Sequence, residues 1–396
     1  MNSSADRQSP RIHGTVAPGF EPMRTAFEAA FAGLPDMGAA LAIRHRGKPV
    51  VDLWGGYADV DLGIPWNRDT LAVAFSCSKG LMSILVARLV QGGLIDYDAL
   101  VSSYWPEFAQ AGKERTTVRD LLAHRAGLPA PADDLTLDDA LEWEGMIRRL
   151  QSQSPLWEPG TAHAYHALTH GWLVGELVRR VTGTTVGRAF REQIAEPLGA
   201  DAWFGLPPAE QSRVARLHVS PRIIAAVADA RAARAVDDPA WEERAITLGH
   251  AFPPHLADRG TGFDDPRVHA AELPGGGAIA TARALATIFS AAVTETDGIR
   301  LWEPATVTGA TTEVSAGPSV FAPNPPWPRW GMGFELDSDA RRFVTAAGFG
   351  HSGAGGQLAF AEPHHRLGFA FLTNQLEGDP DPRANGLVDA LRAILG

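Results

Sequence analysis

The stretch Leu71-Ala72-Val73-Ala74-Phe75-Ser76-Cys77-Ser78-Lys79 joins an apolar, strand-like run to the start of a helical pattern. Residues three apart on a helix share one face, so the amine of Lys79 can reach the hydroxyl of Ser76. At a helix start the serine oxygen also lies near unpaired backbone N–H groups and the positive end of the helix dipole. The spacing therefore predicts an activated serine that needs no catalytic histidine.

Composition narrows the classes of protein and of partner. The chain has 396 residues, of which 45% are hydrophobic and 20% charged, as expected for one large globular domain or two closely joined ones. A net charge of -11 argues against a nucleic-acid partner, because phosphate binding needs clustered lysine and arginine. No apolar run is long enough to span a membrane, so we expect no membrane partner.

The first residues and the cysteine usage bear on the compartment. Residues 1–7 lack the apolar core of a secretory signal. Cys77 is the only cysteine, which excludes an internal disulfide and a cysteine-rich metal site. We therefore expect a cytoplasmic protein with no cofactor, and the sequence leaves the oligomeric state open.

Strand-like patterns concentrate at the two ends of the chain. Residues 38–55 predict a hairpin, and a helical apolar spacing precedes it at 20–31. Near the other end a helix is predicted at about 386–395. Before that helix, short apolar runs predict successive strands at 331–336, 343–347, 357–360 and 368–372. Strands this short with tight turns favour an antiparallel sheet.

The middle of the chain has helical apolar spacing. The predicted helices are 81–91, 118–123, 137–150, 170–181, 186–194 and 281–293. We therefore predict an α+β fold, in which an antiparallel sheet from both chain ends is flanked by the terminal helices and carries a large, mainly helical insertion. The expected boundaries are 1–75 with 330–396 for the sheet domain and 76–329 for the helical region. The active site is expected in the cleft between them.

A serine nucleophile also needs a second proton carrier and an oxyanion site. Tyr165 is one of only four tyrosines, and it follows the turn Trp157-Glu158-Pro159-Gly160 just before a predicted helix. A phenol beside an ammonium group can have a lowered pKa and act as a base. The alternative interpretation is an aromatic residue that simply packs at a helix start.

The segment Gly350-His351-Ser352-Gly353-Ala354-Gly355-Gly356 allows the backbone to approach a ligand closely. The alternative is a glycine-rich hairpin turn. The segment also imitates the G-x-S-x-G nucleophile elbow, but Ala354 replaces the last glycine and a strand follows where a helix should. We therefore do not expect Ser352 to be the nucleophile.

Taken in this order, the three segments resemble the serine β-lactamase and penicillin-binding superfamily, in which S-x-x-K is a signature. The likeness is closest to class C β-lactamases and family VIII carboxylesterases, and it runs from the first hairpin to the last helix. Further pieces that carry it are Pro159-Gly160 and Leu273-Pro274-Gly275-Gly276-Gly277. His124-Arg125-Ala126-Gly127-Leu128 is similar to the family's H-x-S-G-L loop, with alanine for serine, and we expect a structural role for it.

The resemblance implies a β-lactamase-like α/β sandwich and a set of catalytic roles. Ser76 would be the acylated nucleophile, and Lys79 and Tyr165 would share proton transfer. The backbone N–H groups of Ser76 and Ala354 would form the oxyanion hole.

The resemblance also implies where a substrate binds. His351, Ser352 and Gly353 would take the places of the family's K-T-G, which removes a permanent cation, and Tyr165-His166-Ala167 lacks the amide of Y-x-N. Both departures are familiar from the esterases of the superfamily. Trp327 and Trp330 are candidates for an apolar wall.

We therefore predict a serine hydrolase that cleaves small short-chain carboxylic esters through an acyl-enzyme. The same machinery could instead serve a β-lactamase, a D-alanyl peptidase, or an acyltransferase that uses an alcohol other than water. A non-catalytic binding or scaffold protein of the same fold is a further alternative, against which the intact Ser76, Lys79 and Tyr165 argue.

Two other patterns are better explained without a ligand. His163, His166 and His170 have near-helical spacing, but the first two flank Tyr165 and no carboxylate completes a facing pair, so we expect no metal. The glycines at 275–277 precede a predicted helix but lack the lysine and the spacing of a nucleotide site.

Overall fold

The computed structural model describes residues 11–235, 238–378 and 381–396. Within them the strands are β1 (Ile12–Val16), β2 (Gly38–His45), β3 (Lys48–Asp59), β4 (Ile64–Pro65), β5 (Ala72–Val73), β6 (Ala202–Trp203), β7 (His218–Val219), β8 (Ala257–Asp258), β9 (Thr261–Gly262), β10 (Ile279–Ala280), β11 (Arg329–Trp330), β12 (Glu335–Leu336), β13 (Phe349–Gly353), β14 (Gln357–Glu362), β15 (Leu367–Thr373) and β16 (Gln375–Leu376). The helices are α1 (Pro22–Ala29), α2 (Cys77–Gln91), α3 (Val118–Leu122), α4 (Leu137–Leu141), α5 (Trp143–Ser152), α6 (Thr169–Thr182), α7 (Val186–Phe190), α8 (Pro221–Ala233), α9 (Trp241–Thr247), α10 (Pro266–Ala270), α11 (Ala282–Val293), α12 (Pro304–Ala310) and α13 (Pro382–Leu395).

The largest sheet is built from both ends of the chain. Its strands run in the order β1-β3-β2-β15-β14-β13-β12-β11, with β4 paired to β3, and these pairs are antiparallel. The N-terminal β2 lies beside the C-terminal β15, with Leu41 opposite Phe371. The predicted antiparallel sheet is therefore confirmed.

Alternating side-chain size decides what packs on each face of the sheet. On β15, Phe369 and Phe371 belong to the cluster that also contains apolar residues of α1 and α13, whereas Ala370 belongs to the cluster on the opposite face. This is the period-two alternation of a strand. Gly368 allows α11 to approach the second face, since a Cβ there would stand 2.2 Å from the carbonyl oxygen of Ala286. The terminal helices thus cover one face and α11 covers the other.

Helix α2, which follows Ser76, is a core helix. Twelve of its fifteen residues are buried. It packs against β13 and β14 on one side and against α6 and α12 on another. A helix that is enclosed on all sides removes any polar group it carries from water, and Lys79 is such a group.

Most of the predicted elements are confirmed, including the first hairpin and the helices at 81–91, 118–123, 170–181 and 281–293. The helix predicted at 137–150 is two helices, α4 and α5, because Glu142 between them has an extended backbone. The helix predicted at 186–194 is α7 followed by a π-helical turn, Arg191–Ala195.

The strand predicted at 343–347 is wrong. Phe343 and Val344 are buried in the sheet core, which accounts for the apolar signal, but they lie in irregular backbone and β13 begins only at Phe349. His351, Ser352 and Gly353 therefore lie on a strand, and the glycine-rich turn follows them.

Two helices near the cleft were not predicted from the sequence. Helix α8 has no buried residue, so it lacks the apolar face that periodicity detects, and α9 follows it. The boundaries proposed at 75/76 and 329/330 stay a prediction, and α11 packs on the sheet although it lies inside the proposed helical region. Among the described residues, every helix is too short or too polar to cross a membrane.

Candidate active site

Ser76 occupies the N-cap position of α2, directly after a residue with left-handed backbone. Phe75 has a φ of 42°, a conformation that costs a non-glycine residue roughly 1–2 kcal/mol. The Ser76 side chain makes no capping hydrogen bond, so its hydroxyl is available to other groups. The turn is secured instead by Ser78, whose Oγ donates to the carbonyl of Phe75 and accepts from the N–H of Ala278 at 2.9 Å. Ser78 is thus a buried structural serine.

Lys79 lies within hydrogen-bonding distance of Ser76 and is fully buried. Its Nζ is 3.2 Å from Ser76 Oγ and donates to the carbonyl oxygens of Ala167 and Gly275 at 2.6 Å each. Burial lowers the pKa of Lys79 to about 7, although the negative charge of Glu335 opposes the shift. An amine with that pKa is present in both forms near neutral pH, so it can accept a proton from Ser76.

Tyr165 contacts Ser76 from the other side. Its hydroxyl donates to Ser76 Oγ at 2.7 Å, and its ring stacks on Trp330 with centroids 5.4 Å apart. Lys79 Nζ lies 4.7 Å from the centroid of the Tyr165 ring. Burial nevertheless raises the pKa of Tyr165, so the expectation of a lowered phenol pKa is wrong. The structure therefore presents Tyr165 as a protonated donor and Lys79 as the better base.

Strand β13 lies directly against the turn that carries Ser76. The thiol of Cys77 donates to the carbonyl oxygen of His351, with Sγ and O 3.2 Å apart. A Cβ on Gly353 would stand 2.8 Å from the carbonyl oxygen of Ala74 and 3.3 Å from Cys77 Sγ, so only glycine permits this approach. Burial raises the pKa of the Cys77 thiol, which makes it an inert packing group.

The two backbone N–H groups expected to form the oxyanion hole belong to Ser76 and Ala354, and both residues line the cleft. Within the described part of the chain, neither N–H group donates to an acceptor. Ala354 begins the turn after β13, next to the closely packed Gly353. Two donors beside Ser76 are thus available to a ligand oxygen.

Glu335 is a site residue that the sequence did not reveal. Its carboxylate accepts hydrogen bonds from the backbone N–H and the hydroxyl of Ser352, both at 2.7 Å, and it lies 3.8 Å from Arg341 Nε. Burial acts to raise the pKa of Glu335, but His351, Arg341 and the Ser352 hydrogen bonds outweigh it and lower the pKa. No local pattern points to Glu335, because it reaches Ser352 only through the pairing of β12 with β13.

His351 is a buried, neutral group. Its Nδ1 donates to the carbonyl oxygen of Ser352 at 2.6 Å. Burial lowers the pKa of His351 to about 4, and Lys79 adds to this effect while Glu335 opposes it. The His351 side chain therefore offers no cation to a ligand carboxylate at neutral pH.

Most of the candidate residues line a cleft of about 950 Å³, whereas Trp327 and the fully buried Lys79 do not. Ser76, Tyr165, Trp330 and the segment 351–354 all line it. Trp327 is not among the described residues that do so. Its indole donates to the carbonyl oxygen of Ala322 at 3.1 Å, and the flanking prolines at 326 and 328 face the cleft instead. The prediction of a Trp327 wall is therefore not supported.

The histidine set considered for zinc does not converge on a shared point. His166 uses both ring nitrogens locally: Nδ1 donates to the carbonyl oxygen of Ala164 at 2.6 Å, and Nε2 accepts from the N–H of Leu128 at 3.0 Å. His166 and His170 pack against His124. In the described ranges, no group of three or more His, Cys, Asp or Glu side chains is arranged to hold a metal ion.

Comparison with known proteins places this geometry in a family. The chain is 36% identical over 374 residues to the esterase/beta-lactamase LipL of Mycobacterium tuberculosis, an alignment that covers 92% of this chain and 83% of LipL. A solved family VIII carboxylesterase superimposes with a TM-score of 0.84 at 33% identity, over 97% of this chain and 100% of that one. A penicillin-binding protein homologue from Caulobacter crescentus gives a TM-score of 0.84 at 35% identity, with the same coverage. The beta-lactamase family model matches residues 27–394, and the chain belongs to the beta-lactamase family.

Proposed function

We propose that this protein is a serine hydrolase that cleaves short-chain carboxylic esters through an acyl-enzyme on Ser76. The observation that carries the proposal is the position of Ser76 Oγ, which lies 3.2 Å from Lys79 Nζ and 2.7 Å from the Tyr165 hydroxyl at the edge of the cleft. A nucleophile with two proton carriers in reach has what acyl transfer requires.

Lys79 and Tyr165 transfer protons in both halves of the proposed reaction, the acylation of Ser76 and its deacylation. Neutral Lys79 accepts the Ser76 proton as Oγ attacks the ester carbonyl, and the N–H groups of Ser76 and Ala354 stabilise the oxyanion. When the ester C–O bond breaks, the proton passes from Lys79, by way of Tyr165, to the departing alkoxide. Water then attacks the acyl carbonyl and gives one proton to the same pair. The bond between the acyl carbon and Ser76 Oγ breaks, the pair returns the proton to Oγ, and the carboxylic acid leaves.

Ester rather than β-lactam hydrolysis fits the residues beside Ser76. A β-lactam presents a carboxylate and an amide side chain, whereas His351 is neutral, with its pKa lowered to about 4, and Ala167 supplies no amide. Arg341 lines the cleft but is 3.8 Å from the Glu335 carboxylate and donates to Asn385. A missing hydrogen-bond partner in a closed site costs about 1–3 kcal/mol. A short acyl chain needs only Ser76, a base, the oxyanion donors and an apolar wall.

The cleft has an apolar wall near Ser76. Phe75, Leu168, Leu256 and Phe263 line the same cleft, and the rings of Phe75 and Phe263 are 5.2 Å apart. A small-molecule ester is therefore the proposed partner of this site.

A direct comparison of substrates tests the proposal. We expect rapid hydrolysis of the p-nitrophenyl esters from acetate through hexanoate. The specificity constant kcat/KM for nitrocefin should be at least one to two orders of magnitude lower than for p-nitrophenyl butyrate. The Ser76→Ala variant serves as the blank for spontaneous hydrolysis. A higher kcat/KM for nitrocefin would replace the esterase proposal with a β-lactamase. Formation of the butyrate ester of a second, added alcohol would indicate an acyltransferase.

A further inference from the structure

The residues on both sides of Tyr165 are held by one residue, His124. The backbone N–H of Ala164 donates to the carbonyl oxygen of His124 at 3.2 Å, and the N–H of His166 donates to His124 Nδ1 at 3.2 Å. The imidazole also lies edge-on to the Tyr165 ring, with centroids 4.9 Å apart and planes at 63°. His124 thus contacts three consecutive residues, the middle one of which donates to Ser76.

His124 is held in an unusual conformation. It follows α3 with a φ of 63°, a left-handed conformation that costs a non-glycine residue roughly 1–2 kcal/mol, and it is fully buried. Strain of this kind persists only where surrounding contacts stabilise it. The ring centroids of His124 and Trp330 are 4.6 Å apart, and Trp330 stacks on Tyr165. His124 and Trp330 therefore both pack against the Tyr165 ring.

The hydrogen bonds also fix the protonation of His124. Since the N–H of His166 donates to Nδ1, the proton of the neutral ring is on Nε2. Burial lowers the pKa of His124 well below its ordinary value, and His170, His166 and Lys79 add to the effect. The ring is therefore neutral near pH 7, keeps its acceptor for His166, and places no charge beside Lys79.

We propose that His124 is a positioning residue that sets the Tyr165 hydroxyl against Ser76 through its hydrogen bonds to residues 164 and 166. The inference rests on the proposed function, and it gives the H-R-A-G-L loop an effect on proton transfer as well as on folding. A shift of the phenol by a fraction of an ångström lengthens the 2.7 Å bond to Ser76 Oγ. Because this bond acts at the reacting atom, its loss should lower kcat and leave KM nearly unchanged.

Amide side chains provide matched variants at this position. In His124→Asn the amide oxygen can take the place of Nδ1, and asparagine tolerates left-handed backbone. In His124→Gln the amide lies one bond further out, so the acceptor is lost while size and polarity are kept. His124→Leu also removes the acceptor and replaces His124→Gln if that variant does not fold, as judged by thermal unfolding.

A double-mutant cycle with Tyr165→Phe separates positioning from general destabilisation. With p-nitrophenyl butyrate, we expect His124→Gln to lower kcat at least about tenfold with KM within about threefold, and His124→Asn to restore most of the loss. In the Tyr165→Phe background, where no hydroxyl remains to be placed, His124→Gln should cost less than about twofold.

The possible outcomes distinguish this inference from the proposed function. An equal loss in both backgrounds, an unchanged kcat in His124→Gln, or no recovery in His124→Asn would overturn the positioning role and leave the esterase proposal intact. A fully active Tyr165→Phe variant would overturn the inference and leave Lys79 as the sole base of the proposed esterase. A wild-type protein without ester turnover would overturn the proposed function together with the inference.

Discussion

The two walls of the cleft are stabilised by different interactions. On the helical wall, Lys79 and Tyr165 both donate to Ser76, and Lys79 also donates to two backbone carbonyls. No ion pair among the described residues involves Lys79. On the strand wall, Glu335 is a buried carboxylate that accepts two hydrogen bonds from Ser352 and lies near Arg341. The contrast indicates that burial without a counter-ion lowers the pKa of Lys79, while a charge on the neighbouring strands limits how far it falls.

Removing the proton carriers of the helical wall should have the largest effect. We expect Lys79→Ala and Tyr165→Phe each to reduce kcat for p-nitrophenyl butyrate by more than about 10²-fold, the scale for a positioned acid–base group. Because the two act on one atom, the double variant should be little worse than either single variant. Steady-state kinetics on folded protein provides the measurement.

A second buried lysine supplies the control for this prediction. Lys113 is also buried and also donates to backbone carbonyls, those of Gln110 at 2.9 Å and Gln153 at 2.5 Å. Lys113→Ala should lower the melting temperature but keep kcat per folded molecule within about threefold, since Lys113 donates to these two carbonyls whereas Lys79 donates to Ser76. A Tyr165→Phe enzyme within a few-fold of wild type would assign Tyr165 to packing and leave Lys79 as sole base.

The pH profile should report the lowered pKa of Lys79. Burial lowers its pKa to about 7, and only the neutral amine can accept the Ser76 proton. The kcat/KM should therefore rise about tenfold per pH unit below 7 and level off above it. A flat profile from pH 5 to 9, or a rise centred near pH 4, where His166 and His351 titrate, would contradict this assignment.

Removing the Glu335 charge on the strand wall should have a smaller effect, on the pH dependence of kcat/KM. The Glu335 charge raises the pKa of Lys79, so Glu335→Gln should move the rise in kcat/KM to lower pH by less than about one unit. At pH 8 the activity should stay within about threefold of wild type, because glutamine can still accept from Ser352. Asp337→Asn is the control: Asp337 accepts from the N–H of Phe343 and does not act on Lys79. An upward shift in Glu335→Gln would show that the coupling has the opposite sign.

The site residues that could be predicted from the sequence are those joined by a local motif. Ser76 and Lys79 are three residues apart at a helix start, so local geometry joins them. The carbonyl oxygens of Ala167 and Gly275 that hold Lys79 come from 88 and 196 residues away, and backbone acceptors leave no residue-type signal. Glu335 likewise depends on strand pairing, which a single sequence does not specify.

The elements of the fold that could be predicted are those whose apolar residues are buried. Helix α11 was predicted because its apolar face packs on the sheet, whereas α8 was missed because none of its residues is buried. The apolar signal at 343–347 marks burial but not pairing, since Phe343 and Val344 lie in the core without belonging to a strand. Sequence patterns report burial reliably, and they report long-range contacts only where a local motif encodes them.

Covalent labelling can show whether Ser76 carries the acyl group. The protein is treated with a fluorophosphonate and, separately, quenched during turnover of p-nitrophenyl butyrate, and adducts are located by intact mass and peptide mapping. We expect one adduct, on the peptide containing Ser76, that is absent in Ser76→Ala and present in Ser78→Ala and Ser352→Ala. An adduct on another serine in the Ser76→Ala protein, with ester turnover retained, would contradict this expectation.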